Sequence, residues 1–283
     1  LPYVTPYSGQ FGSAIEVIVI QLALADRFRT LSLENDMIKQ SLGLAREVQQ
    51  NLLPNTNPQM EKLDIAGRSI YCDETGGDYY DFIASDSGDK GQLAIAIGDV
   101  SGHGISSALL MATVRSALRQ RLSQPGNSAG IISDVNRQLV QDVEDSGQFM
   151  TMFYLNIDTT KMQAQWVRAG HDPAIFYDPV ADSYEELSGS GIALGIDENW
   201  NYKEYRKTGL KSGQIIFLST DGIWEAFNLK GKMFGKERIY DIIRKNSSLS
   251  ADQIINILLT SVKSFQQGAQ LEDDITLVVI KMT

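Results

Sequence analysis

Residues 93–118 read LAIAIGDVSGHGISSALLMATVRSAL, and the interpretation of this stretch decides the rest of the chain. Its first five residues form a short apolar run of the kind that fills a buried strand. Gly98 and Asp99 close the run, Gly102 and Gly104 bracket His103, and a helical period begins at Ile105. Burying an ionised carboxylate is costly unless a charge or hydrogen bonds neutralise it. A bound cation is one solution for Asp99. The glycines permit backbone angles that other residues resist, so the loop is able to present a main-chain carbonyl to such an ion. An ordinary strand-to-helix turn would use the same residue types.

Composition narrows the choices. With 283 residues, 43% hydrophobic and 21% charged, the chain is long enough for a sizeable core in one large domain or two smaller ones. A net charge of −10 argues against general nucleic-acid binding and suits divalent cations or basic partners. The single cysteine, Cys72, excludes an internal disulfide framework and fits a reducing compartment. His103 and His171 are the only histidines, so a zinc site of the usual His/Cys type is not expected. A metal here would be held mainly by oxygen.

The chain opens LPYVTPYSGQFGS, read as a loop over residues 1–13 and as the remnant of something longer. There is no basic leader with a small-residue cleavage site. The most apolar segment, AIEVIVIQLALA, runs only from Ala14 to Ala25 and carries Glu16 and Gln21, too little for a membrane span. From Ala14 to about Leu53 there is no proline and the pattern is helical. Steps of four and three residues join Leu24, Phe28, Leu31, Asn35, Ile38, Leu42, Ala45, Gln49 and Leu52 in a heptad seam with two amides. Parallel dimerisation as a coiled coil is the expectation; an amphipathic helix folded onto its own domain is the alternative. Pro54 and the turn-rich PNTNPQ end the helix, giving a linker over 14–59 and a domain over 60–283.

Beyond the hinge, short apolar strands alternate with turns: LDIAGRSIY, DYYDFIAS, QLAIAIGDV, TMFYLNID, QAQWVRAG, PAIFYDP and QIIFLSTDG, with DDITLVVIKMT last. Helical patterns interrupt them over about Ile105–Leu122, Ala129–Asp142 and Ala251–Gln267. Close pairs such as YLNIDTTKMQAQWV imply hairpins, and the regular alternation of a doubly wound sheet is missing. An α+β fold of antiparallel sheets flanked by helices follows.

The acids fall at strand ends. Asp99 and Asp221 each finish an apolar run, Asp78 opens one in GGDYYD, and Asp273 and Asp274 precede the last. An Asp-Gly after a strand is by itself an ordinary turn, but the joint occurrence points to convergence at one edge of a sheet core. Hard oxygen ligands would select Mg2+ or Mn2+. GDVSGHG lacks the ending of a P-loop, and GSGIALG misses the dinucleotide spacing. No nucleophile elbow surrounds Ser101, Cys72 reads as a small strand hydrophobe, and His171 reads as a turn cap or a donor to substrate. Water activated by paired divalent ions is the remaining route to phosphoryl chemistry.

In this order, GGDYYDF, AIGDVSGHGISSALLMA, AGHDPAIF, LSTDGIWEA and EDDITLVVI resemble the metal-dependent serine/threonine phosphatases of the PPM (type 2C) family. Together with AREVQQNLLP they are similar to its bacterial SpoIIE/RsbU branch, over about Val48 to Thr283. The resemblance implies two antiparallel sheets sandwiched between helices, an α/β/β/α arrangement, with two Mn2+ or Mg2+ ions. It places Asp99 as the bridging ligand with the Val100 carbonyl, Asp221 and Asp273 on the second metal, Asp78 on the first, and Asp274 as the next candidate. Where eukaryotic members carry a general-acid histidine this chain has Ser101, which leaves His103 or water as proton donor. The implied substrate is phosphoserine or phosphothreonine on a regulatory protein, an anti-anti-sigma factor of STAS type. A non-catalytic pseudophosphatase module and another Mg2+-dependent phosphoryl hydrolase are the alternatives.

GSAIEVIVIQLALADRFRTLSLEN also resembles the end of the last membrane helix and the juxtamembrane coiled coil of seven-transmembrane sensors of the diverse intracellular signalling type. That implies a cytoplasmic catalytic domain tethered to the inner membrane in a longer protein. Replacing Leu31 and Ile38 with glutamate is expected to convert a dimer to a monomer on a sizing column, and an unchanged dimer would refute the seam.

Overall fold

The computed structural model describes residues 7–72, 75–84, 91–144 and 146–283. They fall into two compact units, one ending at Ala45 and the other running from Arg46 to Thr283. The first unit is helical, part of α1 (Tyr7–Gln50). Residues 7–13, expected as loop, belong to this helix, and residues 1–6 lie outside the described residues. No proline follows Pro6 here, and isolated glycines lower helix stability by only about 1 kcal/mol each. Leu24, Phe28 and Leu31 of the expected seam are exposed. Among the described residues no helix is long and apolar enough to cross a membrane.

The second unit starts ahead of the boundary expected near residue 60, because the last turn of α1 is bonded into it. Gln49 is buried; its Nε2 donates to the Gly76 carbonyl at 2.6 Å and its Oε1 accepts from the Gly76 N–H at 3.2 Å. Leu53 adds a buried apolar contact just beyond.

Among the described residues two five-stranded sheets follow, in which neighbouring strands pair antiparallel. One contains, in spatial order, β1 (Leu63–Ile70), β10 (Ile275–Met282), β9 (Ile215–Ser219), β6 (Ala174–Asp178) and β7 (Ser183–Leu187). The other contains β2 (Tyr79–Ala84), β3 (Gln92–Val100), β4 (Met150–Asp158), β5 (Gln163–Ala169) and β8 (Tyr205–Thr208). The helices α2 (Ile105–Leu122) and α3 (Ser128–Val143) pack on the second sheet. α6 (Ala251–Gln266) covers β1 and β10 and contacts α5 (Lys236–Asn246), while the short α4 (Gly222–Glu225) follows β9.

Strand alternation explains the layering. Along β10, Val278, Ile280 and Met282 enter the core shared with the second sheet, whereas Ile275, Leu277 and Val279 join the core under α5 and α6. β9 divides likewise, Ile216 and Leu218 to one side and Ile215 and Phe217 to the other. Successive strand residues point to opposite faces, so a strand covered on both faces must be apolar throughout. The α/β/β/α arrangement is therefore as expected. β7, β8, α4 and α5 were not anticipated. β7 and β8 are sheet edges with polar, largely exposed sequences SYEEL and YRKT, which leave no apolar alternation to detect.

One buried charge links β2 to α2. Asp81 is fully buried, accepts two hydrogen bonds from Arg119 (Nε 2.6 Å, Nη2 2.7 Å) and a third from the Tyr79 hydroxyl at 3.1 Å, with Arg115 Nε 3.7 Å away. Removing the carboxylate strands Tyr79 and the inner arginine, whereas Arg119 is 41% exposed and returns partly to water. Urea denaturation should give Asp81→Ala a loss of about 3 kcal/mol, toward the low end for breaking a buried pair. Arg119→Ala should lose less, and the reverse order would refute this account.

Candidate active site

Asp99 lies at the end of β3, where its register partner on β4 is Thr151. Gly98 is required there because a Cβ at that position would meet the Thr151 carbonyl at 2.3 Å. Val100 donates its N–H to the Gly77 carbonyl at 3.3 Å, which brings the loop before β2 against the end of β3. A Cβ on Gly77 would sit 2.9 Å from the Val100 carbonyl oxygen and 3.1 Å from Asp99 Oδ1. The glycine thus keeps open a niche faced by both oxygens.

The other sheet brings its acids to the same place. Asp221 follows β9 by two residues and opens α4, its carbonyl accepting from Trp224 and Glu225 at 3.0 Å. Asp273 and Asp274 precede β10. Asp78 is buried and accepts from the Thr220 hydroxyl at 2.8 Å; Thr220 Oγ1 in turn accepts from the Thr276 N–H at 3.0 Å. Asp274 is occupied otherwise, its Oδ1 accepting from the Cys72 N–H at 2.9 Å and its Oδ2 from the Gly77 N–H at 3.1 Å. This carboxylate holds the glycine loop in place. Cys72 therefore sits in that loop, beyond the end of β1.

Electrostatics register the convergence. Burial, then the charges of Asp273, Asp221 and Asp274, push Asp99 up to about 7. Burial followed by the charge of Asp99 holds Asp78 well above the usual carboxylate range. Burial and then Asp273 raise Asp221, and burial raises Asp273, with Asp274 adding to it. These groups act on one another through charge without forming a closed cage: among the described residues no three His, Cys, Asp or Glu side chains stand close enough together to hold an ion. The donor set is nonetheless all oxygen, and its mutual repulsion is what a hard divalent cation relieves.

The histidines divide. His103 is exposed on the loop between Gly102 and Gly104, both with φ +86°. Ser101 Oγ accepts from the Phe149 N–H at 3.0 Å. His171, expected as a turn cap or substrate donor, is instead buried between the sheets. Sequence reading missed Thr220, Gln49 and Asp172. Asp172 lies within electrostatic reach of Asp221 and 3.0 Å from Lys236 Nζ. Thr220 and Asp172 adjoin quoted motifs, but their roles depend on contacts across the fold.

The family described as Stage II sporulation protein E (SpoIIE) matches residues 89–283. Phosphoserine phosphatase RsbU of Bacillus subtilis is 32% identical over 94% of this chain and 77% of its own length. The chain spans 41% and 58% of two other curated relatives. Among solved structures, the SiaA-PP2C domain of Pseudomonas aeruginosa superposes with a TM-score of 0.76 at 22% identity, covering 88% of this chain and 98% of that one. RsbX in complex with magnesium gives 0.59 at 17% identity, covering 80% and 98%. Both share the fold.

A carboxyl whose pKa is raised by folding contributes fully to stability below its ordinary value near 4 and loses that contribution as pH rises through the folded value. In EDTA, the melting temperature of the protein should therefore fall relative to Asp99→Asn between about pH 4 and 7, each pKa unit being worth roughly 1.4 kcal/mol. A constant difference across that range would show that Asp99 is not raised.

Proposed function

The chain belongs to the SpoIIE family, a family of metal-dependent phosphatases, and from that premise we propose that it is a signalling enzyme hydrolysing phosphoserine or phosphothreonine on a regulatory protein, an anti-anti-sigma factor of STAS type. The observation that supports this reading is the coupling through charge of Asp78, Asp99, Asp221 and Asp273, which stand at strand ends of both sheets, with Asp99 pushed up to about 7 by burial and by its acidic neighbours. The names of RsbU and RsbP, both phosphoserine phosphatases, support the substrate class.

We assign Asp99 and the Val100 carbonyl to a pair of Mn2+ or Mg2+ ions, Asp221 and Asp273 to one of them and Asp78 to the other. Asp274 is assigned to holding the Gly76–Gly77 loop, and any direct contribution to metal binding comes after the other acids. When bound, such ions supply Lewis-acid activation of water and neutralise phosphoryl oxygens. The chain's own groups orient and exclude: Thr220 fixes one oxygen of Asp78, and Asp274 fixes the loop that positions it. His103, exposed on its glycine-flanked loop, is the candidate donor of a proton to the leaving serine oxygen, with water as the alternative.

The linker reading belongs to the same proposal. α1 pairs with a second copy through Leu24, Phe28 and Leu31, and a rotation or register change of the helix reaches the catalytic unit through Gln49, bonded to Gly76 two residues before Asp78. Tethering of a cytoplasmic catalytic domain to a membrane is supported by the resemblance of Gly12–Asn35 to the end of a sensor's last membrane helix and its juxtamembrane coiled coil.

Hydrolysis of a phosphoserine peptide and of an aryl phosphate should require Mn2+ and fall by about 100-fold or more in Asp99→Asn and Asp221→Asn, at or beyond the upper range for disturbing groups around a metal. Retained activity in both variants would overturn the assignment. Bound manganese without turnover, even with a phosphorylated STAS-type regulator, would mark a non-catalytic module, and preferential nucleotide hydrolysis would mark a different phosphoryl enzyme.

A further inference from the structure

His171 is buried, yet both of its ring nitrogens are engaged, one toward each sheet. Nδ1 is 2.9 Å from the Thr151 hydroxyl on β4, and Nε2 is 3.2 Å from the Ser219 carbonyl on β9. Proton accounting settles the tautomer. The Ser219 carbonyl only accepts, so Nε2 carries the proton, and in the neutral ring Nδ1 must then accept from Thr151. Burial, which drives the imidazole pKa down to about 4, keeps the ring neutral.

The two contacts fall beside the two central acids. Thr151 is the register partner of Asp99; its one hydroxyl proton goes to the closer acceptor, His171 Nδ1, so Thr151 is tied to Asp99 through the strand register. Ser219 ends β9 two residues before Asp221, and the intervening Thr220 holds Asp78. β4 and β9 belong to different sheets, so no ladder of backbone hydrogen bonds sets the spacing between them. The imidazole itself is well anchored. The His171 carbonyl accepts from Arg168 Nε, and the backbone of Gly170, at φ +73°, packs so closely that a Cβ there would lie 2.7 Å from the Ala193 nitrogen.

We propose that His171 is a positioning residue: it bridges the sheets through Thr151 and Ser219 and thereby sets the separation of Asp99 and Asp221, on which divalent-cation affinity depends. The proposal rests on the metal reading of the site given above. Groups that orient the residues holding a metal commonly change its affinity by about 10- to 100-fold when altered. Packing alone would change stability without that selective effect.

Isothermal titration with Mn2+ tests this directly, alongside thermal melts in EDTA. Thr151→Val keeps the branched shape of a strand residue while removing the hydroxyl, and should weaken Mn2+ binding about tenfold. Thr151→Ser should restore it to within about threefold of wild type, below the range expected when such a group is lost. His171→Gln should weaken binding at least as much, and adding Thr151→Val to it should cost nothing further, because both changes break one bridge. Unchanged Mn2+ affinity in Thr151→Val and His171→Gln, with lowered melting temperature only, would reduce His171 to a packing residue and leave the metal reading intact. Wild-type protein that binds no Mn2+ would overturn the metal reading and this inference together.

Discussion

Carboxylates that are buried and coupled through charge at the strand ends of an apolar sandwich are the constraint on which the rest of this structure turns. Asp78 and Asp99 are disfavoured as anions first by burial and then by their neighbours' charge, and Asp221 shares the same fate. A fold tolerates such an arrangement only when the surrounding backbone is held firmly enough to resist relaxation. Here the acids come from both sheets and from the glycine loop before β2, so their separation depends on how the layers register.

Hydrogen bonds at the periphery supply that resistance. Asp274 uses both oxygens on the amides of Cys72 and Gly77, Thr220 ties Asp78 to the start of β10, and Gln49 pairs with both polar groups of Gly76. The Asp81 cluster joins β2 to α2 on the other flank. His171 completes the set by spanning the gap that sheet hydrogen bonding leaves open. Each of these groups would carry a desolvation penalty if unpaired, so each contact both satisfies a buried group and fixes a site-bearing segment. Near the end of α1, Gln49 bonds to Gly76 and the Arg46 guanidinium lies over the Tyr71 ring.

The core beneath is simple in principle. β9 and β10 are covered on both faces, one by the second sheet and one by helices, and their residues divide alternately between the two apolar clusters. Such strands read as continuous apolar runs, and the polar residues that follow them emerge at a shared edge. The acids of this chain stand in those positions.

Much was therefore legible from residue order. The runs ending at Asp99 and Asp221, the glycines around them, the β4–β5 hairpin and the helices after Ile105 and Ala251 announce a sandwich whose acids gather at strand ends. Local physics sufficed there, since strand period, glycine freedom and the burial of apolar runs act over a few residues. Edge strands β7 and β8 escaped because exposed polar strands leave no such signature, and α5 escaped because only Ile239 and Ile243 of it are fully buried. What tertiary structure alone decided is the division of labour among the polar residues. Asp274 holds a loop, His171 bridges two sheets and Gln49 joins a helix end to Gly76, because hydrogen-bond partners 20 to 202 positions apart are chosen by packing and leave no trace in local order.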